Sequence, residues 1–327
     1  MRVLMIGGTK FIGRRITEEL VARGDEVTVV HRGETEPEGL PDCAHLHADR
    51  QDFASLAAQV RELQPDAVVD TLAMTRANTE AVLAHLPDTR LVVLSSGDVY
   101  RAFELQDSHT SEVPLPISEE SPVRHERYPY RGKVPGLDDY DKLDVEPLYL
   151  ERGGTVLRLG FIYGEHDPQR REEFILRRVR AGRQRIPTGT GCWLLSRCYV
   201  GDVASAVLAT LGNDAARGEV FNIVEAASGT VADWMRQILA AAGHDAELVT
   251  VPDADVPDDL DLTRHYAQHL LFDSHKARTV LGWRPGPPEE GIAASVRWHL
   301  ANPPEDGEPD FTADDRALAA IAGQPTA

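Results

Sequence analysis

Short apolar runs and amphipathic stretches alternate along the first half of the chain. Runs at 3–6, 26–30, 44–47, 67–70, 90–95 and 154–159 read as strands. Between them, residues 12–23, 53–63 and 76–85 carry apolar side chains at helical spacing, with Ile16, Leu20 and Val21 marking the first helix. Gly24 stops that helix and Asp25 begins the turn to the next strand. Runs such as AVVD and LVVLSS lack polar alternation, as strands of a parallel sheet buried on both faces do. Repeated strand–helix alternation predicts an α/β fold, a doubly wound parallel sheet with helices on both sides.

The regularity breaks after residue 100. Residues 101–137 carry Pro114, Pro116, Pro122, Pro129 and Pro135 among many charges, which predicts one long loop. A helix is expected over 139–151, kinked or ended by Pro147. Further helices are predicted at 199–211, 230–242, 276–282 and 289–300, with a strand at 219–223 and a small terminal helix at 313–322.

The first strand runs into a glycine turn, VLMIGGTKFIG, and then into the first helix. Strand, tight turn and helix is the arrangement that lays a dinucleotide pyrophosphate on a helix N-terminus. In that reading Gly7 permits the turn, Gly8 lets the backbone approach the phosphates, and Gly13 lets the helix pack on the strand. Thr9, Lys10, Phe11 and Ile12 complete the cradle.

The 327 residues are 42% hydrophobic, enough for one large or two modest domains. Against 53 acidic residues stand 34 Lys and Arg, a formal charge of -19, which repels nucleic acid and anionic membranes at long range. Three cysteines, Cys43, Cys192 and Cys198, form no CxxC pair, so neither a disulfide framework nor a zinc knuckle is expected. The N-terminus enters a strand directly, and no apolar run is long enough to span a bilayer. These features predict a soluble cytoplasmic protein.

Several segments, taken in order, are similar to the extended short-chain dehydrogenase/reductase superfamily, in its NAD-dependent epimerase/dehydratase branch. They are GGTKFIG, HADRQD, LVVLSSGDVY, YDKLDVE, LRLGFIYG, RCYVGDVASAV and VFNI, and they extend over nearly the whole chain. Lys10 in the glycine turn also resembles an atypical subgroup that includes chloroplast stem-loop RNA-binding proteins. The resemblance implies a Rossmann domain over 1–165 with 197–224. It also implies a smaller, mostly C-terminal α+β substrate domain over 166–196 with 225–327. The substrate would lie in the cleft between them, and a homodimer is an expectation from relatives.

The resemblance also distributes roles. Asp49, with Arg50 beside it, looks like the acidic residue that contacts the adenine. Relatives that prefer NAD(H) carry a carboxylate at the end of the second strand; here that position is His31, followed by Arg32. A guanidinium pairs with a 2′-phosphate, and Lys10 can add a second charge, so NADP(H) is favoured over NAD(H). Ser96 resembles the catalytic Ser or Thr, and Lys142 the lysine that binds the nicotinamide ribose. The family's tyrosine stands four residues before that lysine, but here the position is Asp138. Tyr140 is two residues before Lys142, about 200° around a continuous helix and so on another face. Three alternatives follow. Asp138 is a carboxylate base or simply the helix N-cap. Tyr128 or Tyr130 of the long loop supplies the phenol. Otherwise the protein binds cofactor without turnover.

The remaining constellations carry less. His265 and His269 have i, i+4 spacing, with His275 nearby, and read as surface histidines; His45 and His47 read as structural. No metal site is expected. The run Arg170, Arg171, Arg177, Arg178, Arg180, Arg183 and Arg185 reads as a solvated helix face or, with Arg197, as an anion pocket for the substrate, Arg178 and Arg197 being the candidates. The leading function is an NADP(H)-dependent oxidoreductase or isomerase acting on a hydroxylated small molecule, such as a sugar or nucleotide sugar. A non-catalytic cofactor-binding or regulatory protein and an RNA-binding protein are the alternatives, the last opposed by the negative charge.

Overall fold

The computed structural model describes residues 1–322 except Thr35, Asp306 and Glu308. The strands are β1 (Arg2–Ile6), β2 (Glu26–His31), β3 (Ala44–His47), β4 (Ala67–Asp70), β5 (Arg90–Ser96), β6 (Thr155–Leu159), β7 (Phe161–Tyr163), β8 (Arg185–Thr188), β9 (Arg197–Tyr199), β10 (Val220–Ile223) and β11 (Glu247–Thr250). The helices are α1 (Phe11–Ala22), α2 (Ala57–Leu63), α3 (Arg76–Leu83), α4 (Arg101–Glu104), α5 (Lys142–Leu150), α6 (Glu173–Arg180), α7 (Val200–Leu211), α8 (Val231–Ala241), α9 (His275–Val280), α10 (Pro288–Ala301) and α11 (Thr312–Ala322).

Seven strands form a parallel sheet in the order β10-β6-β5-β4-β1-β2-β3. Alternate residues of β1 explain its two covers. Val3 and Met5 face Ile16 and Leu20 of α1 and Val203 and Val207 of α7. Leu4 and Ile6 face the opposite layer, with Phe53, Val60, Val82, Val145 and Tyr149. Each such side chain contributes about 1.5–3 kcal/mol on burial. Strand order reverses at β1, between β2 and β4, so the β1 end opens a crevice at the switch point.

A third apolar cluster lies beyond the sheet. It joins Phe174 and Ile175 of α6, Trp234 and Ile238 of α8, and Ile292 and Val296 of α10 to Val99, Tyr100 and Ile117. Two small parallel pairs, β8 with β11 and β7 with β9, accompany it. These strands have only three or four residues each and escaped the periodicity reading.

Three local expectations change. The predicted helix over 53–63 is a 3-10 segment, Arg50–Leu56, bent at Asp52 and followed by α2. The helix expected from 139 starts at Lys142, because Asp141 accepts from the Leu143 N–H at 2.9 Å and caps it. Pro147 does not end α5: it lies on the exposed side, where water can serve the carbonyl it deprives, while Val145 and Tyr149 stay buried. Among the described residues, no helix is long and apolar enough to cross a membrane.

Candidate active site

The glycine turn follows from tight packing at three points. Gly7 has φ +84°, and a Cβ there would sit 2.5 Å from Leu72. A Cβ on Gly13 would fall 1.8 Å from the Gly7 carbonyl oxygen, so only glycine lets α1 start so close to β1. Gly8 answers to packing as well, since a Cβ there would meet Thr17 at 2.6 Å and Val29 at 2.8 Å. Phe11, the first residue of α1, also has positive φ, +39°. Lys10 occupies the N-cap without a side-chain cap, and the first turn has no acidic residue, so the helix presents its leading N–H groups without a side-chain acceptor.

A cavity of about 550 Å³ opens over this turn. Gly7, Thr9, Lys10, Phe11, Ile12, Gly13, His31, Arg32, Asp49 and Arg50 line it, joined by Glu34, Thr71, Leu72 and Met74. Gly8 and Lys142 are the cofactor candidates outside that lining. Both arginines of the lining are already engaged. Arg32 meets Glu34 at 2.8 Å, both largely exposed. Arg50 grips Asp70 with two bonds of 2.7 and 2.6 Å; burial opposes its charge, but Asp70 prevails and holds the guanidinium above its usual pKa. The Arg50 side chain is therefore a structural tie and not a free cofactor ligand. Asp49 is exposed and accepts from the Gln51 N–H at 2.8 Å.

Behind the 71–74 wall of the cavity stands a cluster of ionisable groups. The Lys142 ammonium is buried and donates to the carbonyls of Ala73 (2.7 Å) and Leu94 (2.9 Å), leaving one N–H. Burial pushes its pKa down to about 8, against the pull of Asp98 and Asp70. Ser96 ends β5 and accepts from the Asp98 N–H at 3.2 Å. Asp98, buried in the turn after β5, accepts from the Tyr140 hydroxyl at 2.8 Å and the Tyr130 hydroxyl at 3.1 Å through one oxygen, Oδ2. Its Oδ1 has no partner among the described residues. Burial raises the Asp98 pKa, although Tyr140, Arg124 and Lys142 all favour its charged form. Burial and then Asp98 push the Tyr140 phenol well above its usual value, and Tyr130 moves the same way. The Lys142 Nζ lies 5.7 Å from the centre of the Tyr140 ring.

The long loop delivers these phenols because it is tied down. Arg124, buried, donates to the Asp98 carbonyl at 3.0 Å and pairs with Asp141. Arg127 donates to the same carboxylate at 2.7 Å, as does the Tyr128 N–H at 3.0 Å. Of the proton-carrier candidates, Tyr130 joins Ser96 and Lys142. Asp138 does not: it is exposed on a turn, accepts from the Gly132 N–H at 2.9 Å, and is not the N-cap, which is Asp141. Tyr128, at φ +55°, stacks beneath Arg131 (4.1 Å), and its hydroxyl has no hydrogen bond among the described residues. Tyr140 precedes α5, so the helical-phase objection to it falls away. Asp98 was missed in the sequence; a carboxylate two residues after Ser96, at the end of a buried strand, was its available signal.

Both substrate-anion candidates already meet acceptors. Arg178 is buried between Asp259 (2.7 Å) and Asp314 (2.6 Å). Arg197 donates to Glu225 at 3.0 Å and Gln237 at 3.2 Å, with Nη1 buried and without a partner among the described residues. The neighbouring arginines 170, 171, 177, 180, 183 and 185 each meet a carboxylate, which is the solvated-face arrangement. His265 and His269 do not share a helix. His31, His45 and His47 gather with Glu36 at the sheet edge.

Comparison with known proteins places this geometry. The profile of the NAD dependent epimerase/dehydratase family matches residues 3–224. The chain is similar to the chloroplast stem-loop binding protein of 41 kDa b of Arabidopsis thaliana, 28% identical over 97% of this chain and 84% of that protein. It is 25% identical to the 3-diazoavenalumate denitrifying reductase of a Streptomyces species, over 88% of this chain and 97% of that one. Its fold matches the UDP-glucose 4-epimerase of Thermus thermophilus, solved in complex with NAD. The TM-score is 0.65 and the identity 24%, over 92% of this chain and all of that one (100%).

Proposed function

The chain belongs to the NAD dependent epimerase/dehydratase family, and we propose that it is an NADP(H)-dependent oxidoreductase or isomerase acting on a hydroxylated small molecule such as a sugar or nucleotide sugar. The observation that supports this most is the Tyr140 phenol, held on buried Asp98 beside Ser96 and Lys142 behind the wall of the glycine-turn cavity. That cavity suits a dinucleotide: its glycines leave no room for a Cβ, and the first turn of α1 has no competing acceptor. In this reading the 7–13 turn holds the pyrophosphate. His31, Arg32 and Lys10 serve the adenosine end, and the remaining N–H of Lys142 serves the nicotinamide ribose. Bound there, the nicotinamide supplies a hydride donor or acceptor.

Ser96 holds the substrate oxygen. Tyr140 takes the proton of the substrate hydroxyl while its own proton moves along the 2.8 Å bond to Asp98 Oδ2. The raised pKa of Tyr140 makes a free phenolate costly, and the raised pKa of Asp98 makes it a better proton acceptor than an ordinary carboxylate. The relay avoids the phenolate, and reduction runs it backwards. Residues 1–165 with 197–224 form the dinucleotide part, and 166–196 with 225–327 the substrate part. Paired as it is, Arg178 offers an anionic substrate nothing. A reducing cytoplasm, consistent with three free cysteines, and a homodimer complete the reading.

The test combines NADPH titration with turnover on a panel of carbonyl compounds and sugar nucleotides. Tyr140→Phe should bind NADPH like the wild type and lose about 10²–10⁴ in turnover, with Tyr130→Phe less affected. Full activity in Tyr140→Phe refutes the relay, and binding without turnover across the panel favours a non-catalytic protein. A second reading, binding of stem-loop RNA, rests on the 28% identity to the chloroplast protein. The charge of -19 opposes it, and the absence of a gel shift at low salt removes it.

A further inference from the structure

Three histidines at the sheet edge serve no step of the relay. The parallel register of β2 and β3 sets His31 beside His47 and Val29 beside His45, so the imidazoles gather at one strand end. His31 Nε2 lies 2.8 Å from His45 Nδ1 and 3.5 Å from Glu36 Oε1, which is 2.9 Å from His47 Nε2. The four ligand atoms all fall within 4.8 Å of one another. A tetrahedral zinc ion with bonds of about 2.0–2.1 Å sets its ligand atoms about 3.3 Å apart. The observed spacings straddle that edge length.

We propose that His31, His45, His47 and Glu36 form a site for a divalent transition-metal cation of the zinc class. Three imidazoles and one carboxylate are a donor set suited to zinc, and unsuited to the all-oxygen preference of magnesium or calcium.

The same atoms also form a metal-free relay, which is the competing account. The Gly33 N–H donates to His31 Nδ1 at 3.1 Å, and His31 Nε2–H then faces His45 Nδ1. Ligation through Nε2 moves the His31 proton to Nδ1, so Gly33 must release its bond. Arg32 and Glu34, on either side of Gly33, line the glycine-turn cavity, so an ion held by His31 would sit at the cavity's rim. The site shares His31 with the adenosine end of the cavity but needs no step of the catalytic relay.

The untagged, metal-stripped chain is titrated with Zn²⁺ against a chromophoric chelator, and with Co²⁺ followed by visible absorption. The expected result is one tight Zn²⁺ per chain and the intense spectrum of tetrahedral Co²⁺. His47→Ala and Glu36→Gln alter half-exposed side chains (54% and 49%) and should leave the circular dichroism unchanged. Each should weaken Zn²⁺ binding by more than the roughly 10–100-fold that changing an outer partner costs. The double variant His265→Ala/His269→Ala should bind as the wild type does. No Zn²⁺ uptake by the wild type, an octahedral Co²⁺ spectrum, or wild-type affinity in both His47→Ala and Glu36→Gln overturns the site and leaves the hydrogen-bonded relay.

Discussion

Arg32 and Glu34 should set the cofactor preference in opposite directions. Their 2.8 Å ion pair has both side chains 62% exposed on the cavity lining. A pair so open is worth about 0–1 kcal/mol, so a 2′-phosphate can take over the guanidinium at little cost. The charge-assisted contact returns about 1.5–3 kcal/mol. The net is about 0.5–3 kcal/mol, or roughly 2–160-fold in Kd for NADPH over NADH. Arg32→Ala should lose that factor for NADPH and leave NADH nearly unchanged. Glu34→Gln removes both a competitor for Arg32 and a negative charge beside the phosphate, a gain of at most about 1 kcal/mol, or roughly fivefold. Titration by nicotinamide fluorescence at low salt measures both, and added salt should compress both effects. Equal wild-type affinity for NADPH and NADH, or weaker NADPH binding by Glu34→Gln, refutes the reasoning.

Two stability predictions follow from buried charge. Glu172 is buried against Ser295, its other oxygen has no partner among the described residues, and burial pushes its pKa up to about 8 from an ordinary 4.5. A carboxyl raised in the folded state loses stability as pH climbs from 4.5 towards 8. Glu172→Gln should therefore gain up to about 3 kcal/mol at pH 7, less about 1 for an unpaired amide N–H. That gain should vanish near pH 4.5, and urea melts at both pH values check it; no gain at pH 7 sinks the argument. Arg178→Ala leaves the buried Asp314 carboxylate without its guanidinium and should cost about 3–5 kcal/mol. It should not change how anionic and neutral ligands compare in thermal-shift assays; a selective loss of anionic stabilisation restores Arg178 as a substrate residue.

What the sequence made legible was local. The glycine turn and the sheet strands announce themselves because the residues that shape them are neighbours, as Gly7 and Gly13 are. Tyr140 was illegible because the start of α5 depends on Asp141, whose partner Arg124 lies 17 residues away. The arginine run looked like an anion pocket because its acidic partners are remote: Asp259 stands 81 residues from Arg178 and Asp314 136. His45 and His47 alternate as a strand should, but His31 joins them only through the register of a neighbouring strand. The Asp98–Tyr130 bond spans 32 residues of loop with no periodic signal.

Asp141 holds Arg124, Arg127 and the N–H of Tyr128 from one side and the N–H of Leu143 from the other. One carboxylate thus finishes the loop that carries Tyr130 and begins the helix that carries Lys142. Raising the 124–141 stretch to admit a reactant would uncap α5 and loosen Lys142 in the same movement. In the proposed reaction a lid swinging on this side would have to break all of these bonds, so reactants would arrive and leave over another rim.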